Sequence, residues 1–171
     1  MIIVITTHNT KNISANYNMT KIWGPKYWLI IHCVSIQLKY KDARKILDHI
    51  HLILPCGMCR NNAKRERPSI PKETYVNKNK DILFEWSVKF HNIVNKSLGK
   101  KVLSYKEIKN LRTYYLNRDI REEIKEFRNY LKKIRGNRKY HNIKKNISTS
   151  KINEMITIID YIYSDDDTYD D

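Results

Sequence analysis

The motif CGMC at residues 56–59 constrains this chain more than any other feature of its sequence. Two cysteines at this spacing can be a redox dithiol, half of a zinc site or a chance pair. Trp28 and His32 precede the motif and Trp86 and His91 follow it, in segments that have helical periodicity and no strand pattern nearby. This setting favours a dithiol held against a flat aromatic cofactor inside a helical protein.

The cysteine count and the apolar runs indicate where such a chain works. Its 171 residues contain three cysteines, too few for a disulfide framework. In a reducing compartment a close pair is more often catalytic or metal-binding than structural, and Cys33, alone in an apolar run, is interpreted as an inert buried thiol. No apolar run approaches the roughly 20 residues that span a bilayer, and residues 1–5 lack the flanks of a signal peptide. We therefore expect a cytosolic protein without a membrane segment.

The charge is strongly positive but uneven along the chain. The formal net charge is +15, and five of the last eight residues are aspartate, so the rest of the chain is more basic still. A body of that charge attracts polyanions. However, lysine, asparagine, isoleucine and tyrosine are abundant together, as in proteins from AT-rich genomes, and such a codon bias can supply part of the lysine excess. Nucleic acid is therefore not expected as a partner.

Hydrophobic periodicity divides residues 21–103 into four predicted helices. Trp28 and His32 lie one turn apart on one face of the first helix. Residues 1–20 show no sustained periodicity and are predicted to be a tail. The helices begin at Gly24-Pro25, at about residue 42, at the dithiol and at an Asp81 cap, and the last three end near Leu54, Arg67 and a Gly99 C-cap.

Taken in order, these positions resemble the Erv/ALR family of FAD-dependent sulfhydryl oxidases. The resemblance runs from Trp23 to about Leu103 and rests on four motifs in combination. It implies an all-α fold, a four-helix bundle with a short fifth helix that cradles FAD. The motifs are Trp23-Gly24-Pro25-x2-Trp28-x3-His32, Pro55-Cys56-x2-Cys59, Trp86-x3-Phe90-His91-Asn92-x2-Asn95 and Leu98-Gly99-Lys100.

The resemblance also implies roles for the two cysteines and a cofactor site on the helices. Cys56 becomes the outer sulfur, which exchanges with the substrate, and Cys59 becomes the inner sulfur, which lies against FAD. The electrons pass by way of FAD to O2 and produce H2O2. The positions that match the family's FAD contacts are Gly24, Trp28, His32, Val88, His91, Asn92, Val94, Asn95, Lys96, Leu98, Lys100 and Leu103.

These residue types also suit thiol oxidation on physical grounds. A sulfur at the start of a helix lies at the positive end of the helix dipole, which favours the reactive thiolate. No side chain can hold two electrons and deliver them to oxygen, so a cofactor is required. Trp28 and His32 offer a stacking surface, His91 can recognise a ring edge without adding charge, and Lys96 and Lys100 can reach a diphosphate.

Residues 104–163 are predicted to be a basic helical extension beside an oxidase domain that spans 21–103, with an acidic tail over 164–171. Ser104 and Glu107 form a capping-box pattern at its start. Apolar residues then recur at spacings of four and three on a long basic helix, which is typical of a packing seam. The seam either folds back on the protein's own core, the slightly favoured interpretation, or binds a partner. Because the family core is complete by about Leu103, a chain ending near Ser104 is expected to keep FAD and to oxidise a small dithiol, with the extension serving partner or substrate recognition. Its residues are Ile120, Ile124, Phe127, Leu131 and Ile134, and a basic linker over 136–150 and a last helix over 152–163 follow.

The cysteine content also bears on the partners. Many family members carry a second, shuttling cysteine pair, but Cys33 has no companion outside the dithiol. Substrate protein thiols, or a thioredoxin-like relay protein, are therefore expected to react with Cys56 directly. The resemblance also allows a homodimer. This minimal form is similar to the oxidases of large cytoplasmic DNA viruses, which implies the virus factory in the host cytoplasm, and the virion, as locations.

The residues alone leave three other functions open. A zinc site could use His49, His51 and the two cysteines, although histidines two apart on a helix point to different faces. A thioredoxin-like reductase would need a strand before the dithiol, where a helix is predicted. A basic nucleic-acid-binding module without enzymatic activity would be colourless and strongly salt-dependent.

Overall fold

The computed structural model describes residues 10–71 and 80–163, and the side chains of residues 23–71 and 81–163. This part of the chain is helical and contains no strand, so the predicted all-α fold is confirmed. None of its helices combines the length and the apolar character that crossing a membrane requires. The helices are α1 (Thr10–Gln37), α2 (Tyr40–Ile50), α3 (Gly57–Glu66), α4 (Lys80–Ser97), α5 (Tyr105–Leu116), α6 (Arg121–Gly136), α7 (His141–Lys144) and α8 (Thr149–Tyr163), with 3-10 turns at His51–Ile53 and Arg138–Tyr140.

Helix α1 begins earlier than the sequence predicts and continues through Pro25. Residues 10–20, predicted to be a tail, form its first turns, whereas residues 1–9 lie outside the described residues. The Trp23 and Tyr27 rings pack edge to face across the proline with centroids 5.2 Å apart. Proline removes one backbone hydrogen bond but does not prevent this contact between residues four apart, so Gly24-Pro25 is not a helix start.

The core forms where α1 packs against α4, α5 and α2. Ile30 and Val34 of α1 and Leu83 and Phe90 of α4 are all at most 3% exposed. The predicted apolar face of α2 is confirmed, since Ile46, Leu47 and Ile50 are at most 1% exposed. The helix after the dithiol is also confirmed, because α3 ends at Glu66 next to the predicted Arg67.

Helix α4 ends as predicted but begins differently. Gly99 has φ +63°, and the N–H groups of Gly99 and Lys100 donate to the carbonyls of Lys96 and Asn95 at 3.2 and 2.8 Å. This is a Schellman C-cap, and the left-handed conformation explains the glycine. Asp81 lies inside the first turn of α4 rather than at a cap, and its carboxylate accepts a hydrogen bond from Arg112 of α5 at 2.6 Å.

The seam beyond residue 116 faces the protein's own core. Its five apolar residues are at most 3% exposed and belong to the same buried cluster as Tyr27 and Ile46. The favoured interpretation of the seam is therefore confirmed, and the partner-binding interpretation is wrong. The seam lies on one helix, α6, which is separate from α5, and Ile120 is the N-cap of α6.

The structure shows no boundary at residue 103. The capping box of Ser104 and Glu107 is present and starts α5. Ile108, Leu111 and Tyr115 of α5 then pack against a second buried cluster, formed by Ile36, Phe84 and Val88 of α1 and α4. These residues after 103 thus pack against the helices of the predicted oxidase domain.

The segment between α6 and α8 is more ordered than a linker. The turn at Arg138–Tyr140 and helix α7 occupy it, and Ile143 and Ile147 are each 5% exposed in the main core. The basic composition of this segment predicted a linker, but the burial of its two isoleucines accounts for its ordered structure. The predicted last helix is confirmed as α8, and the predicted acidic tail over 164–171 lies outside the described residues.

Candidate active site

The cysteines of the CGMC motif lie at the N-terminus of α3. Cys56 is the N-cap, and its Sγ accepts a hydrogen bond from the backbone N–H of Cys59 at 3.2 Å. The two residues form a disulfide with their Cα atoms 5.1 Å apart. The positive end of the α3 dipole therefore lies at the sulfurs, where it stabilises a thiolate once the disulfide is reduced.

The two cysteines differ in their accessibility. Cys56 is 6% exposed and Cys59 is half-buried, while Met58 between them is 56% exposed. Cys56 is thus the less accessible of the two cysteines. The outer role of Cys56 and the inner role of Cys59 stay a prediction.

Arg60 organises the segment that leads into the disulfide. Its guanidinium Nη1 donates to the carbonyl of Leu54 and, at 3.3 Å, to the carbonyl of Pro55. Its backbone N–H donates to the carbonyl of Cys56 at 3.0 Å. One residue thereby ties three consecutive carbonyls to the first turn of α3, and its guanidinium lies beside Gly57.

Trp28, His32 and His91 form a stack of flat rings between α1 and α4. The Trp28 and His91 rings are nearly parallel, at 8°, with centroids 4.0 Å apart. Trp28 also stacks with His32 at 5.9 Å and 22°. The helical spacing of these residues, read from the sequence, thus brings all three together. The close contact leaves no space between Trp28 and His91 for a further ring.

The two histidines of this stack are neutral at physiological pH. Burial, followed by the nearby His91, lowers the pKa of His32 to about 3. Burial, followed by the positive charge of Lys100, lowers the pKa of His91 to about 4. The stack therefore adds no positive charge to a bound ligand.

The hydrogen-bond partners are consistent with one assignment of the protons on the two neutral imidazoles. Ser87 donates its hydroxyl to the carbonyl of Phe84 at 2.7 Å, so its oxygen accepts from Nδ1–H of His32 at 2.8 Å. Neutral His32 then accepts at Nε2 from Nδ1–H of His91, 3.0 Å away. In this assignment the series of hydrogen bonds from Ser87 through His32 ends at His91, whose Nε2 is an acceptor that suits a ligand N–H.

Asn92 and Asn95 bind the chain that follows α4. The Asn92 amide donates to the carbonyl of Leu103 at 3.0 Å and accepts from the Leu103 N–H at 2.9 Å. Asn95 donates to the carbonyl of Lys101 at 3.1 Å. These amides therefore shape the loop from 98 to 103, and any contact with a cofactor would use their remaining hydrogen-bonding capacity.

A cavity of about 410 Å³ lies between α4 and α5, and its size is that of a small-molecule site. Of the predicted FAD contacts, it contains Asn92 and Lys96. Lys100 is exposed and close enough to His91 to lower its pKa. The lining residues are Glu85, Lys89, Asn92, Ile93, Lys96, Val102, Tyr105 and Ile108.

The other predicted FAD contacts lie in varied surroundings. Val88 is fully buried in the second cluster, and Leu103 packs against that cluster from outside. Leu98 is 60% exposed, whereas Gly24 and Val94 are half-buried. Val88 can therefore support the site through packing, but its side chain does not line an open surface.

Several residues of the site were not predicted from the sequence. Ser87, one turn before His91, is fully buried, and its place on the same helix face was a signal that could have identified it. Tyr115 lies with its ring 4.8 Å from that of His32, but it comes from α5 and no local pattern points to it. In the described residues, no three His, Cys, Asp or Glu side chains are grouped so that they could hold a metal ion.

Comparisons with known proteins agree with this geometry. A sequence model of the Erv1/Alr family matches residues 25–115. FAD-linked sulfhydryl oxidases from two isolates of African swine fever virus are each 37% identical over 97 residues, which cover 52% of this chain and 78% of theirs. A probable FAD-linked sulfhydryl oxidase of Acanthamoeba polyphaga mimivirus is 28% identical over 92 residues, covering 50% of this chain and 64% of the relative. No solved structure matches the chain.

Proposed function

Because this chain belongs to the Erv1/Alr family, we propose that it is a thiol oxidase that forms disulfide bonds in substrate proteins, with FAD as cofactor and O2 as final acceptor. The observation that carries the proposal is the Cys56–Cys59 disulfide at the N-terminus of α3. The names of the viral relatives, FAD-linked sulfhydryl oxidases, support the activity and the cofactor.

The residues present fit FAD. Trp28 and His91 are flat rings that are half-buried rather than buried, and the imidazole of His91 is neutral. Lys96 and Lys100 are exposed on the same end of α4 and supply positive charge for a diphosphate. When bound, FAD supplies the capacity to take two electrons from a dithiol and reduce O2 to H2O2.

The protein's own part of the reaction is thiol–disulfide exchange. A substrate thiolate attacks Sγ of Cys56, the Cys56–Cys59 bond breaks, and Cys59 leaves as a thiolate that the α3 dipole stabilises. A second substrate thiolate then attacks the substrate sulfur of the mixed disulfide and releases Cys56. The substrate has lost two electrons and two protons, and the cysteine pair is reduced. Reoxidation of the pair completes the overall reaction, in which two thiols and O2 give a disulfide and H2O2.

The partners and the location belong to the same proposal. The third cysteine, Cys33, is fully buried, and burial raises its pKa to about 12, so it is unsuited to act as a shuttle. Substrate protein thiols, or a thioredoxin-like relay, therefore react with the Cys56–Cys59 pair itself. Oxidases named from large DNA viruses support a site of action in the host cytoplasm, at the virus factory, and a homodimer is the proposed assembly.

The test combines cofactor content with turnover. Purified protein is expected to be yellow and to release FAD on heating in a near-equal molar amount. With reduced dithiothreitol it should consume one O2 and form one H2O2 for each disulfide made, as followed with an oxygen electrode and a peroxide assay. Folded, colourless protein that does not take up added FAD would contradict the proposal.

A matched variant separates enzymatic turnover from background thiol oxidation. Cys33→Ser leaves the active pair intact and should retain FAD and most of the activity. Replacing both Cys56 and Cys59 with serine should retain FAD but abolish oxygen consumption. Oxygen consumption that persists in the double variant would assign it to trace metal or free flavin rather than to the disulfide.

A further inference from the structure

The segment before the disulfide is held from two directions. Arg60 of α3 binds the carbonyls of Leu54, Pro55 and Cys56. The preceding carbonyl, that of Ile53, accepts a hydrogen bond from the phenol of Tyr130 at 2.9 Å. Four consecutive carbonyls are thus bound, and only the bond from Tyr130 comes from a distant part of the sequence.

Tyr130 lies on α6, beyond the residues that the family model matches. Aromatic neighbours fix its ring: Tyr140 packs edge to face at 5.9 Å, and Tyr27 of α1 packs edge to face at 6.4 Å. Burial raises the pKa of Tyr130 above its usual range, so the phenol keeps its proton. The side chain is therefore a permanent, well-oriented donor.

Helix α6 is anchored firmly enough to transmit this position. Lys26 of α1 forms an ion pair with Glu126 at 2.6 Å, and Arg128 forms one with Asp160 of α8. Between these two pairs, Phe127 is 3% exposed, and its ring packs against Tyr27 at 5.9 Å. The Tyr130 phenol is consequently held relative to α1, which also contributes the ring stack of the candidate site.

We propose that Tyr130 is a positioning residue for the Cys56–Cys59 pair, which its bond to Ile53 keeps in place after the disulfide has been reduced. This inference rests on the proposed function, since it concerns the reduced state of the same pair. In the oxidised state the covalent bond itself fixes Cys56 near Cys59. In the reduced state that constraint is gone, and the hydrogen bonds to residues 53–55, together with the burial of Ile53, hold the segment in the geometry from which the disulfide re-forms.

Loss of the phenol oxygen should therefore loosen the reduced state more than the oxidised state. A looser segment lowers the effective concentration of one thiol at the other. The disulfide then becomes easier to reduce, because less of the reduced ensemble is poised to close. One hydrogen bond of ordinary strength corresponds to a change of about three- to tenfold in this effective concentration.

The test compares Tyr130→Phe with Tyr140→Phe in the full-length chain. Each replacement removes one phenol oxygen and keeps the ring, but only the first removes the bond to Ile53. Each protein is equilibrated with mixtures of reduced and oxidised glutathione, and the reduced fraction of the pair is counted by alkylation and mass spectrometry. Tyr130→Phe should lower the effective concentration about three- to tenfold, and Tyr140→Phe should change it less than about twofold.

Two results would overturn the proposal. One is an unchanged effective concentration in Tyr130→Phe, and the other is an equal change in both variants, which would assign the effect to ring packing. The oxidised Tyr130→Phe protein is expected to keep the wild-type circular dichroism spectrum, so a failure to fold would also count against it. The glutathione equilibrium is measured without oxygen, so that no turnover takes place and its outcome does not depend on whether the oxidase proposal holds.

Discussion

Nε2 of His32 and Nδ1 of His91 lie 3.0 Å apart, and this hydrogen bond joins α1 to α4 at the centre of the ring stack. Both nitrogens cannot carry protons at once without breaking the bond. The buried Ser87 oxygen accepts a hydrogen bond from Nδ1–H of His32, so this series of hydrogen bonds depends on neutral imidazoles. Acid should therefore disrupt the stack and the packing of the two helices together.

The first prediction is a loss of stability below neutral pH. The folded-state pKa values of His32 and His91, about 3 and about 4, lie below the usual 6.5, so the unfolded chain binds protons first as the pH falls. Stability from these residues is thus complete above pH 6.5 and declines toward pH 4. We expect a loss on the order of 1–2 kcal/mol for each histidine between pH 7 and pH 5. Urea denaturation at a series of pH values measures it.

The control for this prediction uses two glutamine replacements. His91→Gln should flatten the dependence of stability on pH by about the share of one histidine. His141→Gln makes the same replacement at an exposed residue at the start of α7, outside the ring stack, and serves as the matched variant. If the free energy of unfolding depended on pH equally in the wild type and in His91→Gln, protonation of His91 would not be the cause of the loss of stability.

The second prediction concerns FAD retention. Trp28→Ala removes the ring that stacks on His91 and should lower the affinity for FAD by about 5- to 150-fold, because the loss of one aromatic stacking partner costs about 1–3 kcal/mol. Lys100→Ala removes one charge near His91 and should weaken binding by about three- to tenfold, with a smaller effect in high salt. Fluorescence of released flavin after gel filtration measures both.

Lys145→Ala provides the matched control for Lys100→Ala. Lys145 is also exposed, but it lies between α7 and α8 and takes no part in the candidate site. Equal FAD loss in the two lysine variants would indicate a general effect of net charge. FAD retention by Trp28→Ala at the wild-type level would remove the ring stack from the proposed cofactor site.

Local patterns predicted the parts of the site that lie within one helix or at its ends. The helical spacing of Trp28 and His32, and of His91 and Asn95, placed those residues correctly on α1 and α4, and Gly99 was recognised as a C-cap because few other residues adopt positive φ. Contacts between distant segments were not predictable in this way. Tyr115 beside His32 and Tyr130 beside Ile53 follow from how α5 and α6 pack, and no short motif records that packing.

Pro25 shows the opposite kind of error. A proline after a glycine is a sound local signal for a helix start, but the contact of Trp23 with Tyr27 favours one continuous helix. The seam on α6 shows that a periodic pattern can correctly predict a buried helix face without predicting which surface covers it. Its period predicts a buried face, yet the choice between a partner and the protein's own core depends on the apolar surface that α1 and α2 leave uncovered.

The third prediction separates the roles of Cys56 and Cys59. Either serine replacement should lower dithiothreitol oxidation by more than about 100-fold, because each removes one half of the exchange. Cys59→Ser leaves Cys56 as the free thiol, and Cys56→Ser leaves Cys59. If Cys56 is the outer sulfur, the Cys59→Ser variant should form a mixed disulfide with oxidised glutathione faster than the Cys56→Ser variant. Mass spectrometry of timed samples gives both rates.

The exposure of the two residues makes this comparison informative. Cys56 is 6% exposed and Cys59 is half-buried, so accessibility alone favours faster reaction at Cys59. Faster adduct formation at Cys56 would show that the segment around it opens during turnover or that the bound cofactor shields Cys59. Faster adduct formation at Cys59 would reverse the assigned roles while leaving the oxidase proposal intact.

The last prediction is that the chain cannot be shortened to residue 103. Ending it there removes α5, whose Ile108, Leu111 and Tyr115 cover the second buried cluster, and α6, whose apolar seam is part of the main core. The exposed apolar surface should cause aggregation and loss of FAD. Gel filtration, circular dichroism and flavin content of the shortened protein measure these effects.

Removal of residues 164–171 is the matched control for that truncation, because it deletes five aspartates and no residue of the described core. This protein should stay monodisperse, keep its flavin and oxidise dithiothreitol at close to the full-length rate. A chain ending at residue 103 that remained folded, yellow and active would mean that α5 to α8 are accessory to an independent oxidase core. Loss of all three properties, with the control intact, would instead show that the helices beyond residue 103 form one cooperative unit with the dithiol and the ring stack.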